Sequence, residues 1–224
     1  MALLCFDLDG TLVDPLEGMH TCLRATCMDF GIPCPDLDRI VEVVGLDLEV
    51  LFWDLPNPRR HEVMERYWRL FGEEGVFAQR IHSGAHLMLA RLKRQGHRLC
   101  LVTNQSAAIA RRTLHHFDLI LSFDDVIGLT ATESWKTKEV IMARLQQDGM
   151  LESSGYLIGD RADDMRAAKA HGLKALGVTY GFGKRQELLK AKADILLDSM
   201  QALDGWLVKE LREPEIHDPF SRSE

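Results

Sequence analysis

Residues 3–14 read LLCFDLDGTLVD. Four apolar or sulfur-bearing residues lead through Phe6 to two aspartates, Asp7 and Asp9, that flank Leu8. The apolar run predicts a buried strand. Gly10 and Thr11 break that strand immediately after the second carboxylate. Acidic groups at the end of a buried strand are costly unless something there uses their charge. Successive strand residues point to opposite faces, so Asp7 and Asp9 share one face while Leu8 points to the other.

The rest of the chain repeats the pattern. Short apolar runs at 97–104, 124–129, 155–160, 174–180 and 193–199 end at polar or glycine residues. Helical spacing fills the intervals at 84–96, 106–117, 136–149 and 163–172. Near-continuous apolar strands alternating with helices predict a parallel sheet covered on both faces, an α/β fold of three-layer Rossmann-like type. Residues 15–82 break the rhythm. They carry helical patterns such as GMHTCLRATCMDFG and RRHEVMERYWRLFG, divided by turn signals at GIPCPD and LPNPRR, and no convincing strand. The expected organisation is a core of residues 1–14 and 83–212, a helical cap of residues 15–82, and a polar tail at 213–224.

Composition narrows the function classes. The 224 residues are 46% hydrophobic with a formal net charge of −7, and no basic run marks a nucleic-acid footprint. No apolar stretch reaches the ~20 residues of a spanning helix, and the N-terminus lacks the basic and apolar regions of a secretory signal. Five cysteines without a C-x-x-C pair suit free thiols. These features predict a cytoplasmic protein with no nucleic-acid or membrane partner, either monomer or homodimer.

Three further clusters belong with the opening one. The strand at 97–104 ends in Thr103 and Asn104, and the strand at 155–160 runs into GDRADD, with Asp160, Asp163 and Asp164. Between them SWKTKEV offers Lys136 and Lys138 at a helix start. Ligands of open α/β sheets bind beyond the carboxyl ends of the strands, so all four clusters converge on one edge. Asp7, Asp9, Asp160 and Asp164 together repel one another unless a cation sits among them. Oxygen donors without histidine or cysteine suit Mg²⁺. A carboxylate beside such an ion can take a phosphoryl group, and a second carboxyl two residues on can protonate the leaving alcohol and then activate water.

The four clusters in this order resemble the haloacid dehalogenase superfamily, in particular its phosphoglycolate-phosphatase-like branch with a helical cap. The pattern D-x-D-G-T-[LV] is met by residues 7–13, T/S-N by Thr103 and Asn104, the helix-start lysine by Lys136 or Lys138, and G-D-x-x-x-D by residues 159–164. The likeness extends to 180–199, so it spans nearly the whole chain. It implies Asp7 as nucleophile and Asp9 as general acid and base. It implies Mg²⁺ held by Asp7, the Asp9 backbone carbonyl, Asp160 and Asp164, and phosphate bound by Thr11, Thr103, Asn104 and a lysine. Lys136 is favoured over Lys138 because it precedes Thr137, a plausible N-cap. The family spacing selects Asp164 over Asp163 in the acidic run.

Specificity is expected in the cap, with Gly45, Leu46 and Asp47 on a loop facing the site and Glu17 and His20 on the first cap helix. The expected activity is Mg²⁺-dependent hydrolysis of small phosphate monoesters of phosphoglycolate, sugar-phosphate or nucleotide type, through an aspartyl phosphate. A mutase of the β-phosphoglucomutase type and a non-catalytic scaffolding protein are the alternatives. Dehalogenation has no use for Asp9. Phosphonate cleavage requires a cap lysine, and residues 1–82 contain none. GFGK at 181–184 imitates a nucleotide loop, but Val178 and Arg185 break that motif.

Overall fold

The computed structural model describes residues 1–129, 137–149, 151 and 155–211. Lys136 and the expected tail at 213–224 lie outside the described residues. Among them no helix is long and apolar enough to cross a membrane.

All six apolar runs form strands of one parallel sheet: β1 (Leu3–Phe6), β4 (Arg98–Ser106), β5 (Asp125–Leu129), β6 (Gly155–Gly159), β7 (Lys174–Val178) and β8 (Ile195–Leu197), in the order β5-β4-β1-β6-β7-β8. Strand β1 lies between β4 and β6, its Cys5 level with Cys100 and Leu157. The strand order reverses at β1, which puts a crevice at its carboxyl end.

Period-two alternation divides the core. Leu4, Phe6 and Leu8 face a cluster built with Met88 and Leu92 of α4 (Ala85–Arg94), Leu114 of α5 (Ala107–His116) and Leu203 of α9 (Met200–Glu210). Leu3 and Cys5 face the other side, against Ile141 and Leu145 of α6 (Lys138–Gln147), Met165 of α7 (Ala162–Ala170) and Leu188 of α8 (Arg185–Lys190). Asp7 continues the Leu3–Cys5 face and therefore points towards the helices that carry Lys138 and Asp164.

The insertion contains α1 (Leu16–Phe30), α2 (Leu37–Val43), α3 (Asn57–Glu73) and two 3₁₀ turns, Leu48–Phe52 and Gly75–Ala78. Its own core is centred on Leu23, Ile40, Tyr67 and Phe71, with Ile109 and Phe182 of the sheet domain packed against it. The expectation of no strand across residues 15–82 is corrected at one place. Val13–Asp14 (β2) pairs antiparallel with Arg80–Ile81 (β3), and the His82 N–H donates to the Leu12 carbonyl at 2.9 Å. Two residues are too few to show a period. Their pairing comes from the chain leaving and re-entering the core side by side, so the insertion stands on a two-stranded stem.

Candidate active site

The turn after β1 brings the two aspartates together. Backbone N–H groups of Thr11, Leu12 and Val13 all converge on the Leu8 carbonyl, and Gly10 N–H donates to Val13 O at 2.7 Å. Gly10 adopts φ +87°, and a Cβ there would lie 2.4 Å from Asp160 Oδ2. Glycine is therefore required both by the left-handed backbone and by the close approach of a carboxylate.

Asp7, Asp160 and Asp164 present carboxylate oxygens that all lie within 4.8 Å of one another. Each is nearly or fully buried. Lys138, 2% exposed, places Nζ 2.7 Å from Asp7 Oδ1 and in close contact with Asp164 Oδ1. Burial alone would lower the lysine pKa, but Asp164 and Asp7 outweigh it and hold the ammonium charged well above its ordinary range. The carboxylates are driven the other way. Burial, reinforced by the charge on Asp7, pushes Asp9 up to about 7. Burial likewise raises Asp164 to about 7 against the lowering effect of Lys138. Asp160 rises well above the ordinary range through burial, then through Asp7 and Asp164.

Among the described residues, Lys138 is thus the lysine that the fold brings into this cluster. It is the first residue of α6, although Thr137 at the N-cap makes no side-chain cap bond. That bond comes instead from Asp163, whose Oδ2 accepts the Lys138 N–H at 3.0 Å and Asn104 Nδ2 at 3.1 Å. The neighbouring Asp164 turns inward to the carboxylate cluster and accepts the Arg161 N–H at 2.9 Å. The two adjacent aspartates therefore divide the work: Asp163 fixes where α6 starts and Asp164 faces Lys138.

The glycine-rich stretch at 181–183 wraps Asp160. The Phe182 and Gly183 N–H groups donate to Asp160 Oδ2 at 2.7 and 3.3 Å. Oδ1 of the same carboxylate is buried with no partner among the described residues. A Cβ on Gly183 would fall 1.7 Å from the Asp160 carbonyl oxygen. Gly183→Ala must displace this loop, at a cost of about 3 kcal/mol or more. A fall in Tm of about 6–12 °C is expected for a chain of this size, and calorimetry showing less than 2 °C (roughly 1 kcal/mol or less) contradicts the tight loop.

Among the other expected site residues, Thr103 is buried and its Oγ1 accepts the Gln105 N–H at 3.1 Å. Thr11 is fully buried in the turn, its carbonyl accepting from the Tyr180 hydroxyl at 3.0 Å. Gly45 reaches the site from the insertion, its carbonyl accepting from Asn104 Nδ2 at 3.4 Å. Leu46 beside it is exposed, and Asp47 caps the following 3₁₀ turn through Glu49 N–H. Glu17 pairs with Arg80 at 2.7 Å in solvent. Glu17 and His20 line a cleft of about 220 Å³ with Asp14, Leu16, Leu37 and Arg80, next to the stem. The structure gives neither residue a contact with the carboxylate cluster.

Two residues not selected from the sequence also stand here. Arg161, 5% exposed, donates from Nη2 to the Glu42 carbonyl at 2.9 Å and ties the sheet edge to the insertion. Gln105 donates from Nε2 to Asp9 Oδ2 at 2.9 Å. An arginine directly after the Gly-Asp of residues 159–160, and a glutamine one past Thr-Asn, were the available signals.

Comparison with known proteins agrees with this geometry. The sequence profile of the haloacid dehalogenase-like hydrolases matches residues 4–178, which hold Asp7, Asp9, Lys138, Asp160 and Asp164. The chain belongs to that family. As a haloacid dehalogenase-like hydrolase it is 32% identical over 190 residues to a 5'-nucleotidase of Pseudomonas aeruginosa, covering 83% of this chain and 86% of the relative. It is 29% identical over 196 residues to the tyrosine-protein kinase PtkA of Mycobacterium tuberculosis, covering 87% and 67% of the two chains. Among solved structures, a predicted phosphatase from Clostridium acetobutylicum superposes with a TM-score of 0.83 at 29% identity, covering 93% of this chain and 98% of the other. This haloacid dehalogenase-like hydrolase thus shares its fold with proteins named for phosphate chemistry.

Proposed function

We propose that the protein is a divalent-metal-dependent phosphomonoesterase, using Asp7 as nucleophile and Asp9 as general acid and base. The observation that carries this reading is the juxtaposition of Asp7 with a buried lysine on one side and a buried, partly unpartnered carboxylate pocket on the other. Oxygen donors alone, an orphaned Asp160 Oδ1 and mutual repulsion fit a hard cation such as Mg²⁺. Asp7, Asp160, Asp164 and the Asp9 carbonyl would hold it. When bound, it would neutralise carboxylate charge and phosphoryl-oxygen charge.

The chain's own groups account for the remaining chemistry. Lys138 and the Asn104 backbone would draw the substrate phosphate to Asp7, and Lys138 would oppose the charge that builds on its oxygens. Asp7 attacks phosphorus as the ester P–O bond breaks, and Asp9 gives its proton to the departing alkoxide. Asp9 then takes a proton from water as the water oxygen attacks phosphorus, which releases Asp7. A carboxyl that holds its proton to about pH 7 suits the first of these roles. The insertion, hinged on the β2–β3 stem and tied down through Glu42 and Gly45, would keep bulk water out while the ester bond breaks.

The names of the relatives indicate which esters to try: nucleoside monophosphates first, then 2-phosphoglycolate and sugar phosphates. Phosphate release from this panel, with Mg²⁺ and with EDTA, tests the reading. Metal-dependent release from one or a few compounds supports it, and silence from folded protein removes it.

A second check uses stability. Asp9 and Asp164 have folded pKa values raised above the ordinary carboxylate range, so the folded state binds more protons than the unfolded state between about pH 4 and pH 7. The contribution of these two groups in the metal-free protein is full below that range and is lost as pH rises through 7. A cation must compete with those protons at low pH. The rise in Tm on adding Mg²⁺ to EDTA-treated protein is therefore expected to be larger at pH 8 than at pH 5.5. Equal rises at the two pH values count against a metal held by this cluster.

A further inference from the structure

Gln105 occupies a position that the fold works to create. Strand β4 pairs regularly with β5 up to Val102 and resumes at Ser106, with a register shift between them. Irregularities of this kind re-aim a side chain near a sheet's functional edge. Here the shift spans Thr103, Asn104 and Gln105, and Thr103 Oγ1 accepts the Gln105 N–H to hold the bend. The strand opposite has a glycine at the crossing: a Cβ on Gly128 would stand 2.4 Å from the Gln105 carbonyl oxygen.

The result is a buried amide, 6% exposed, whose Nε2 donates to Oδ2 of Asp9 at 2.9 Å. Asp9 Oδ1 is buried and has no partner among the described residues. The two oxygens of this carboxyl are therefore not equivalent. The N–H donor already takes a lone pair of Oδ2, which favours the proton on Oδ1 and leaves Oδ2 as the carbonyl oxygen, the better acceptor.

We propose that Gln105 is a positioning residue that reserves Oδ1 of Asp9 as the oxygen that moves the proton. This rests on the phosphatase reading of the same site. In the first half-reaction the proton on Oδ1 passes to the ester oxygen as its bond to phosphorus breaks, leaving Asp9 ionised with Oδ2 held by the amide. In the second, water gives a proton back to Oδ1 as its oxygen bonds to phosphorus and the Asp7–phosphorus bond breaks. Without the amide, the carboxyl can rotate and place its proton on either oxygen, so the delivering geometry is occupied only part of the time.

The test compares two esters in the full-length enzyme with Mg²⁺. An alkyl phosphate needs a proton on its leaving oxygen, whereas 4-nitrophenyl phosphate departs as a stable phenolate. The quantity read is kcat/KM, which ends at leaving-group departure and omits hydrolysis of the acyl phosphate. Gln105→Met, close in volume and without a donor, is expected to lower kcat/KM for the alkyl ester at least about tenfold more than for the aryl ester, within the range that general acid catalysis supplies. Asp9→Asn should show the same selective loss. Adding Gln105→Met to Asp9→Asn should change the ratio no further, because both act through one group. Gln105→Leu is the substitute if the Met variant does not fold.

An unchanged ratio overturns the assignment, whether the activity on both esters falls together or does not fall at all. The alkyl ester is the best substrate of the panel above, and a wild-type enzyme that is folded, loaded with Mg²⁺ and inactive across that panel removes the phosphatase reading and this assignment with it. The first of these outcomes leaves the phosphatase standing.

Discussion

Asp7→Asn is expected to lower kcat by about 10⁶-fold on any ester the wild-type enzyme hydrolyses, the order of loss seen when an enzyme loses its nucleophile. The substitution is nearly isosteric, and the residue's backbone N–H still donates to the Ile158 carbonyl at 2.9 Å. The fold should therefore survive, with an unchanged circular dichroism spectrum. What disappears is the anionic oxygen next to Lys138 Nζ, at 2.7 Å in the wild type. An amide cannot form an acyl phosphate, and its nitrogen would point a donor at an ammonium or at a metal. Acid quenching of the wild-type enzyme during turnover of a ³²P-labelled ester should trap label on the protein, and the variant should trap none. Turnover by Asp7→Asn within tenfold of wild type would falsify the covalent mechanism outright.

Lys138→Met should damage both stability and catalysis. Lys138 is enclosed and bonded to two buried carboxylates, Asp7 and Asp164. Replacing a buried ion pair as a whole with apolar groups is often neutral, whereas removing only the cation leaves two buried carboxylates without their counter-charge. Breaking a buried ion pair in this way costs about 3–5 kcal/mol. The expected fall in Tm is about 6–20 °C for a protein of this length. Mg²⁺ should recover part of that fall, since it would neutralise the same carboxylates. Activity at saturating metal should still drop about 10²–10³-fold, because the group opposing charge on the transferring phosphoryl is gone. Lys136→Ala is the matched comparison. If it proves more damaging than Lys138→Met, the lysine that the fold places against Asp7 is not the one the reaction uses.

These two residues also mark the boundary between what a sequence declares and what it leaves open. The carboxylates were legible because acidic side chains ending a buried strand are expensive, and two such clusters, Asp7–Asp9 and Asp160–Asp164, recur along one periodic chain. The α/β layering was legible for the same reason: strands buried on both faces read as continuous apolar runs. Lys138 was not, because Lys136 and Lys138 lie two positions apart at a helix start, and linear spacing does not say where the helix begins. That choice belongs to Asp163, which caps the Lys138 N–H from another helix. The sequence offered the usual capping rule at Thr137, and Thr137 makes no side-chain cap bond.

The chain alone determined the α/β layering and the edge on which the acidic strand ends meet, because each follows from local period and local charge, while the expected roles of Asp7 and Asp9 came from the resemblance of their motif to a known family. Only the tertiary structure placed Lys138 in the cluster against Asp7 and Asp164, wrapped the 181–183 loop around Asp160, and set Gln105 on one oxygen of Asp9. Each of these is a contact between segments 20 or more residues apart in sequence. Such contacts depend on how strands and helices are registered in space, and no short window of the chain contains that information.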